Sequence, residues 1–213
     1  MEYILVLTMF TSILPRNTEK VLKDLSNLDF IKEFYLAGGT ALAMQVGHRE
    51  SYDLDFFNRN EFQSEQIQSE LEKIGKIESS EISPGTLNCF LEGVKLQFLH
   101  YPYPILEPLI EWKGINISSK LDLACTKLIT ISARGSKKDF IDVYFLLKEY
   151  GLPFLFRKLK EKYPKTNYNE AHILKSLVYF HDADTQPTPR MHQKIDWQET
   201  KKEIINTVKN FKL

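Results

Sequence analysis

The stretch that most constrains this chain is 34–57 (FYLAGGTALAMQVGHRESYDLDFF), where a glycine pair stops an apolar run and two aspartates follow one short helix later. Glycine lets the backbone approach a phosphate with no Cβ in the way, and a helix start just beyond it offers unpaired N–H groups and a favourable dipole end. Residues 34–37 read as a strand, Thr40 as the cap of a helix over 40–45, and 51–57 as a second strand. Asp53 and Asp55, at i and i+2, then project from one strand face, ~6–7 Å apart along the backbone. That spacing suits two oxygen ligands sharing Mg²⁺ or Mn²⁺. Such a cation offsets charge on the attacking and leaving oxygens of phosphoryl chemistry. Alone, a Gly-Gly turn is most often only a tight turn, and an Asp-x-Asp a solvated strand face. Their order and separation carry the signal.

Around this stretch the chain changes character. Helical spacing is expected from Thr18 to Leu28, capped by Asn17 or Thr18, and again over 61–74 with Gly75 as its stop. Strands are expected at 87–91 and 94–99 around the turn Glu92-Gly93, and Pro102, Pro104 and Pro108 then end regular structure. Beyond that the pattern is helical, at 119–133, 138–149, 152–162, 170–179 and 197–208, with a polar loop at 181–190. The expected architecture is α+β, a mixed sheet with flanking helices in 1–112 and a C-terminal helical bundle in 113–213 packed against it.

Composition narrows the function classes. With 213 residues, 43% of them apolar, the chain can close one sizeable core. Lys plus Arg and Asp plus Glu both number 28, so no net charge draws the protein toward nucleic acid or an anionic membrane, and any polyanion site must be local. Cys89 and Cys125 sit in apolar surroundings without metal-ligand spacing and read as buried thiols in a reducing cytoplasm. The apolar start, 1–14, lacks a basic leader and a cleavage site and is too short to span a bilayer, so no membrane association is expected. Its first eight residues are either an upstream start or a short packed strand or helix. His181-Asp182-Ala183-Asp184 lacks metal partners and reads as a solvated loop. Lys158, Lys160, Lys162 and Lys165 form either an RNA-binding patch or a solvated face.

Three segments, 34–57, 121–147 (LDLACTKLITISARGSKKDFIDVYFLL) and 177–190 (LVYFHDADTQPTPR), together resemble the AbiEii/AbiGii toxin family within the DNA-polymerase-β-like nucleotidyltransferases. The resemblance implies a toxin of a toxin–antitoxin or abortive-infection system. Such a toxin moves an NMP from an NTP such as ATP or GTP to an acceptor such as tRNA, and a cognate antitoxin counteracts it. It places the phosphate turn at Gly38, Gly39 and Thr40 with Ser51 beside it, the metal ligands at Asp53 and Asp55, a helical lysine at Lys127, and a final acid at Asp139 or Asp142. Arg49 becomes a candidate phosphate contact. Lys127 and Arg134, seven apart, share a helix face and either meet nucleotide phosphates or line a solvated face. Asp142 is expected to be the buried acid, and Asp139 is also a favourable first-turn residue.

One departure bears on catalysis. Many nucleotidyltransferases carry a third carboxylate on the strand after the aspartate pair, as a base for the attacking hydroxyl. Here 94–100 offers Lys95, Gln97 and His100 but no acid. Asp139, Asp142 or Glu92 substitutes, or positioning and metal suffice, or activity is lost. The alternatives are therefore an inactive nucleotide- or partner-binding module of the same fold, and an enzyme modifying a small molecule of the antibiotic type.

Overall fold

The computed structural model describes residues 9–211, so the reading of residues 1–8 lies outside the described residues. Among the described residues a mixed seven-stranded sheet holds β1 (Tyr35–Ala37), β2 (Leu54–Asn58), β3 (Ile77–Ser83), β4 (Thr86–Leu91), β5 (Val94–His100), β6 (Ile110–Trp112) and β7 (Ile115–Ile117) in the order β3-β4-β5-β2-β1-β7-β6. β1 runs antiparallel to β2 and parallel to β7, while β2 runs parallel to β5. The hairpin expected around Glu92-Gly93 is β4–β5, with Leu91 opposite Val94 and both turn residues at positive φ.

The helices are α1 (Arg16–Leu25), α2 (Gly38–Val46), α3 (Ser64–Leu71), α4 (Lys120–Ala133), α5 (Lys137–Glu149), α6 (Leu152–Lys162), α7 (Glu170–Leu177), α8 (His181–Asp184) and α9 (Trp197–Lys209). α4 and α5 start at serine caps, Ser119 and Ser136, whose side chains accept the N–H of Asp122 and Asp139. α2, α4 and α5 pack on one another beside β1 and β2, and α6 and α7 close over α4. One apolar core runs through both halves, from Leu36, Phe56 and Phe98 in the sheet to Leu128, Phe140 and Leu159 in the helices.

Several local expectations change. α1 begins after Pro15 without a side-chain cap, and Thr18 is buried instead, its hydroxyl 3.3 Å from the Tyr52 carbonyl. β3 and the β6–β7 hairpin were not expected, and the sheet continues to Ile117, past residue 112. The expected loop at 181–190 begins with the single helical turn α8. Its Asp184 accepts from Trp197 Nε1 at 2.7 Å and pairs with Lys201 at 2.8 Å. Among the described residues no group of three or more His, Cys, Asp or Glu is arranged to hold a metal. Lys162 is not part of a surface patch: it is buried, with Nζ 2.6 Å from Asp122 and 2.9 Å from the Pro104 carbonyl. Lys158 and Lys160 pair with Glu161 and Glu170. Cys89 and Cys125 are buried free thiols, as expected, and burial pushes them up to about 11 and about 12. No described helix is long and apolar enough to cross a membrane.

Candidate functional site

The glycine pair and the aspartates meet at the end of β1. Gly38 has φ +64, and a Cβ there would lie 1.9 Å from Asp55 Oδ2, so the turn admits only glycine beside that carboxylate. Asp55 is on β2 opposite Ala37, whereas β2 starts at Leu54, so Asp53 stands just before the strand rather than on it. Thr40 explains why Asp53 still reaches the site. It does not cap α2, which begins at Gly38. Its hydroxyl instead bonds the Asp53 carbonyl and lies 2.8 Å from Ser51 Oγ, fastening 51–53 against the helix. Gly38, Gly39, Ser51, Asp53 and Asp55 all line one cavity of about 370 Å³.

The opposite wall comes from α4 and α5, which contribute Lys127, Arg134, Lys138 and Asp139. Asp142 lies behind this wall. Its Oδ1 accepts from Arg49 Nε at 2.7 Å and sits 2.8 Å from His48 Nε2, while Oδ2 accepts from Arg49 Nη2 at 2.8 Å and pairs with Lys127 Nζ at 2.7 Å. Lys127 also donates to Asp139 Oδ1 at 2.8 Å, and Ser136 Oγ donates to Asp139 Oδ2 at 2.5 Å. Burial alone would raise the Asp142 pKa. The charges of Arg49 and Lys127, with hydrogen bonds from His48 and Arg49, outweigh it and hold the carboxyl well below its ordinary value. Asp139 is lowered too, its burial outweighed by Lys127 and Ser136, and burial likewise fails to keep Arg49 and Lys127 from being raised by their acids. Asp142 is therefore an ion-pair anchor behind the cavity, not a lining group.

Arg49 reaches the cavity, but its guanidinium is committed to Asp142 and the Glu50 carbonyl. Gly39 makes room for it, since a Cβ there would stand 2.5 Å from Arg49 Nη2. The C-terminal segment braces the same place: Arg49 bridges to Met191, and Gln186 takes the Lys137 N–H at 2.9 Å. Asp55 is the reverse of Asp142. Burial raises its pKa, the Asp53 charge raises it further, and Lys127, Lys95 and Lys138 only partly compensate.

Among the described residues no acid stands where a third carboxylate would be. β5 lies parallel to β2 with Gln97 opposite Asp55, and Lys95, Gln97 and Leu99 alternate along the cavity side of β5. Gln97 Nε2 donates to Asn88 Oδ1 at 2.8 Å. Glu92 sits in the β4–β5 turn, where its carboxylate accepts the Lys76 N–H at 2.7 Å, so it does not stand in. The sequence reading missed Lys95, Lys138, Phe57 and Tyr101 as cavity residues. Lys138 Nζ lies 3.9 Å from Asp53 Oδ2, and Phe57 and Tyr101 stack with centroids 4.5 Å apart. The adjacency of Lys138 to Asp139 was the available signal for the first of these.

The family model described as "Nucleotidyl transferase AbiEii toxin, Type IV TA system" matches residues 20–105 and 98–212. The chain belongs to this family. It is thus a nucleotidyltransferase of a toxin–antitoxin family, in line with the resemblance carried by its motifs. An uncharacterised protein of Aquifex aeolicus (strain VF5) is 37% identical over 206 residues, 93% of this chain and 97% of that one. In shape, the family fold is shared with JHP933 from Helicobacter pylori, at TM-score 0.54 and 18% identity over 94% of this chain and 92% of that one. It is also shared with MenT4, a nucleotidyltransferase toxin (Rv2826c) of Mycobacterium tuberculosis H37Rv, at TM-score 0.54 and 14% identity over 93% and 87%.

Proposed function

We propose that this protein transfers an NMP from an NTP to a hydroxyl of an RNA such as tRNA, with Mg²⁺ or Mn²⁺ held by Asp53 and Asp55, acting in the cytoplasm as a toxin that a cognate antitoxin restrains. The observation that carries the reading is the Asp53–Asp55 pair, open to one cavity beside a glycine turn that no Cβ could share. The donor set fits a hard divalent cation: two carboxylates, one raised by burial and by its neighbour's charge, are relieved by a positive ion. The remaining oxygen ligands would be phosphate and water. When bound, such an ion supplies charge stabilisation at the transferring phosphoryl group.

The protein's own residues do the rest. Gly38 and Gly39 let the backbone approach the phosphates, with the start of α2 behind them. Lys95, Lys138 and Arg134 bring cations to the phosphate groups. Lys127 is held rigid by Asp139 and Asp142 and presents one fixed charge to the cavity. Phe57 and Tyr101 offer an apolar surface for the base. Asp139 is a poor base, because both its oxygens are engaged and its pKa is lowered. Positioning of the acceptor hydroxyl then replaces a dedicated base.

A second reading, a binding module without turnover, draws on Gln97 at the register position opposite Asp55. The two separate by incubating the protein with each labelled NTP, Mg²⁺ and total RNA, for wild type and Asp53→Asn, alongside a thermal melt. Transfer by the wild type and a fall of roughly 10³-fold in the variant, at an unchanged melt, is the expected result. Toxicity that is equal in both proteins, with incorporation in neither, sinks the enzymatic reading. Label on a small molecule but not on RNA would move the acceptor to the antibiotic type.

A further inference from the structure

A second cavity, of about 230 Å³, opens where α4 ends, between the Gly135 joint and α7, and Arg134 lines both it and the nucleotide cavity. Arg134 is thus a shared element of the two cavity linings. Arg49 is spent on Asp142, whereas Arg134 stands exposed at the junction. The outer cavity carries Ser132, His172, Ser176 and Tyr179, with the acid Asp182 beside them. Tyr179 is 60% exposed, the most exposed large apolar side chain among the described residues. Its backbone is fixed. The Tyr179 N–H bonds the Ser176 carbonyl at 3.1 Å, the next residue, Phe180, is buried, and the Tyr179 carbonyl lies 3.9 Å from where a Gly135 Cβ would be. The His181 ring stands 6.1 Å away.

We infer that this outer groove receives the acceptor as the single-stranded end of an RNA, with a base stacked on Tyr179 and a backbone phosphate on Arg134, so that the terminal hydroxyl is fed into the nucleotide cavity. The inference rests on the reading of an RNA acceptor and adds its path. A nucleotidyl acceptor must reach the transferring phosphorus from outside, and Arg134 sets a cation in the lining of both cavities, on the way from the outer groove to the nucleotide site. An exposed ring on a fixed turn is a platform for any base, because every base has a π face. A polypeptide acceptor fits less well, since this groove is walled by helices and offers no open strand edge to pair with an extended chain.

The test is fluorescence anisotropy of a labelled single-stranded oligoribonucleotide on the full protein, which needs no turnover. Tyr179→Ala is expected to weaken binding about tenfold, and Tyr179→Phe to restore it, because stacking needs the ring and not the hydroxyl. Arg134→Gln is expected to lower the slope of log affinity against log salt by about 0.7, the loss of one single-strand phosphate contact. Binding of NTP alone to Tyr179→Ala should match wild type. An oligonucleotide affinity unchanged by Tyr179→Ala overturns the path while leaving nucleotide transfer intact. A wild type that binds no RNA, or that labels a protein hydroxyl instead, overturns the path as well. Loss of transfer in Asp53→Asn with intact RNA binding separates failure of the metal site from failure of the groove.

Discussion

Asp55 on the sheet wall of the cavity, and Asp139 and Asp142 on and behind the helical wall, are the same residue type a few side chains apart, yet their electrostatic states are opposite. Asp142 is fully buried and encircled by Arg49, Lys127 and His48, and these partners depress its pKa despite the burial. Asp55 lies beside Asp53 on the same wall and is raised by burial and by that neighbour. A satisfied acid holds a structure together, and an unsatisfied one is available to a ligand. The protein keeps them separate by pairing Arg49 and Lys127 directly with the helical acids, while among the described residues the other pair has one ion pair within 4 Å, Lys138 at 3.9 Å from Asp53, and Lys95 and Lys127 act on Asp55 from farther off.

The largest test of this contrast is Asp142→Asn. Removing that charge strands Arg49 and Lys127 in a buried setting, and breaking a buried pair by deleting one partner costs about 3–5 kcal/mol. Urea unfolding should show a loss of that order, and a loss under 1 kcal/mol would mean the cluster is not an anchor. Next come the glycines. Gly38→Ala forces a Cβ against Asp55 at positive φ, and Gly39→Ala one against Arg49 Nη2. The first carries a left-handed backbone cost of about 1–2 kcal/mol in addition to the clash. Gly38→Ala should weaken Mn²⁺ binding, read by electron paramagnetic resonance of the free ion, whereas Gly39→Ala should act on stability. Equal effects of the two on Mn²⁺ would erase the distinction between the walls.

Legibility in the sequence followed the range of the interactions. The Gly38–Asp55 stretch could be read because its parts are local: a turn, one short helix and an i, i+2 pair. The β4–β5 hairpin was announced by Glu92-Gly93. β3 was invisible because all of its residues beyond Ile77 are exposed and show no apolar alternation, and the strand exists only by pairing with β4. β6 and β7 are three residues each, too short for any period, and β7 is set by its parallel pairing with β1. Lys95 and Lys138 reach the site only through the β2–β5 pairing and the docking of α5, which no local pattern encodes. The role of Asp142 depended on His48 and Arg49, 94 and 93 positions away. Lys162 looked like a surface charge for the same reason, since its partner Asp122 is 40 positions distant on α4.

The smallest expected effect is the most specific, and it concerns the stability of Asp55→Asn without any ligand. Asp139 and Asp142 have folded pKa values below 3.8, so their contribution to stability is complete above 3.8 and is lost as pH falls through the folded values. Asp55 has the opposite sign. Its folded pKa lies above 3.8, so the folded state binds its proton more tightly than the unfolded chain does, and stability falls as pH rises through the folded value. Above the ordinary carboxylate range the raised Asp55 is therefore a net cost to the fold, one that a neutral isostere does not carry. Asp55→Asn should unfold at equal or slightly higher urea than wild type at pH 7, by up to about 1 kcal/mol given partial solvent screening. The advantage should vanish as pH falls and Asp55 itself becomes neutral. Subtracting the two pH profiles removes every group that the two proteins share. A variant less stable than wild type at pH 7, or a difference independent of pH, would show that Asp55 is a satisfied acid like Asp142, and the contrast between the two walls would fail.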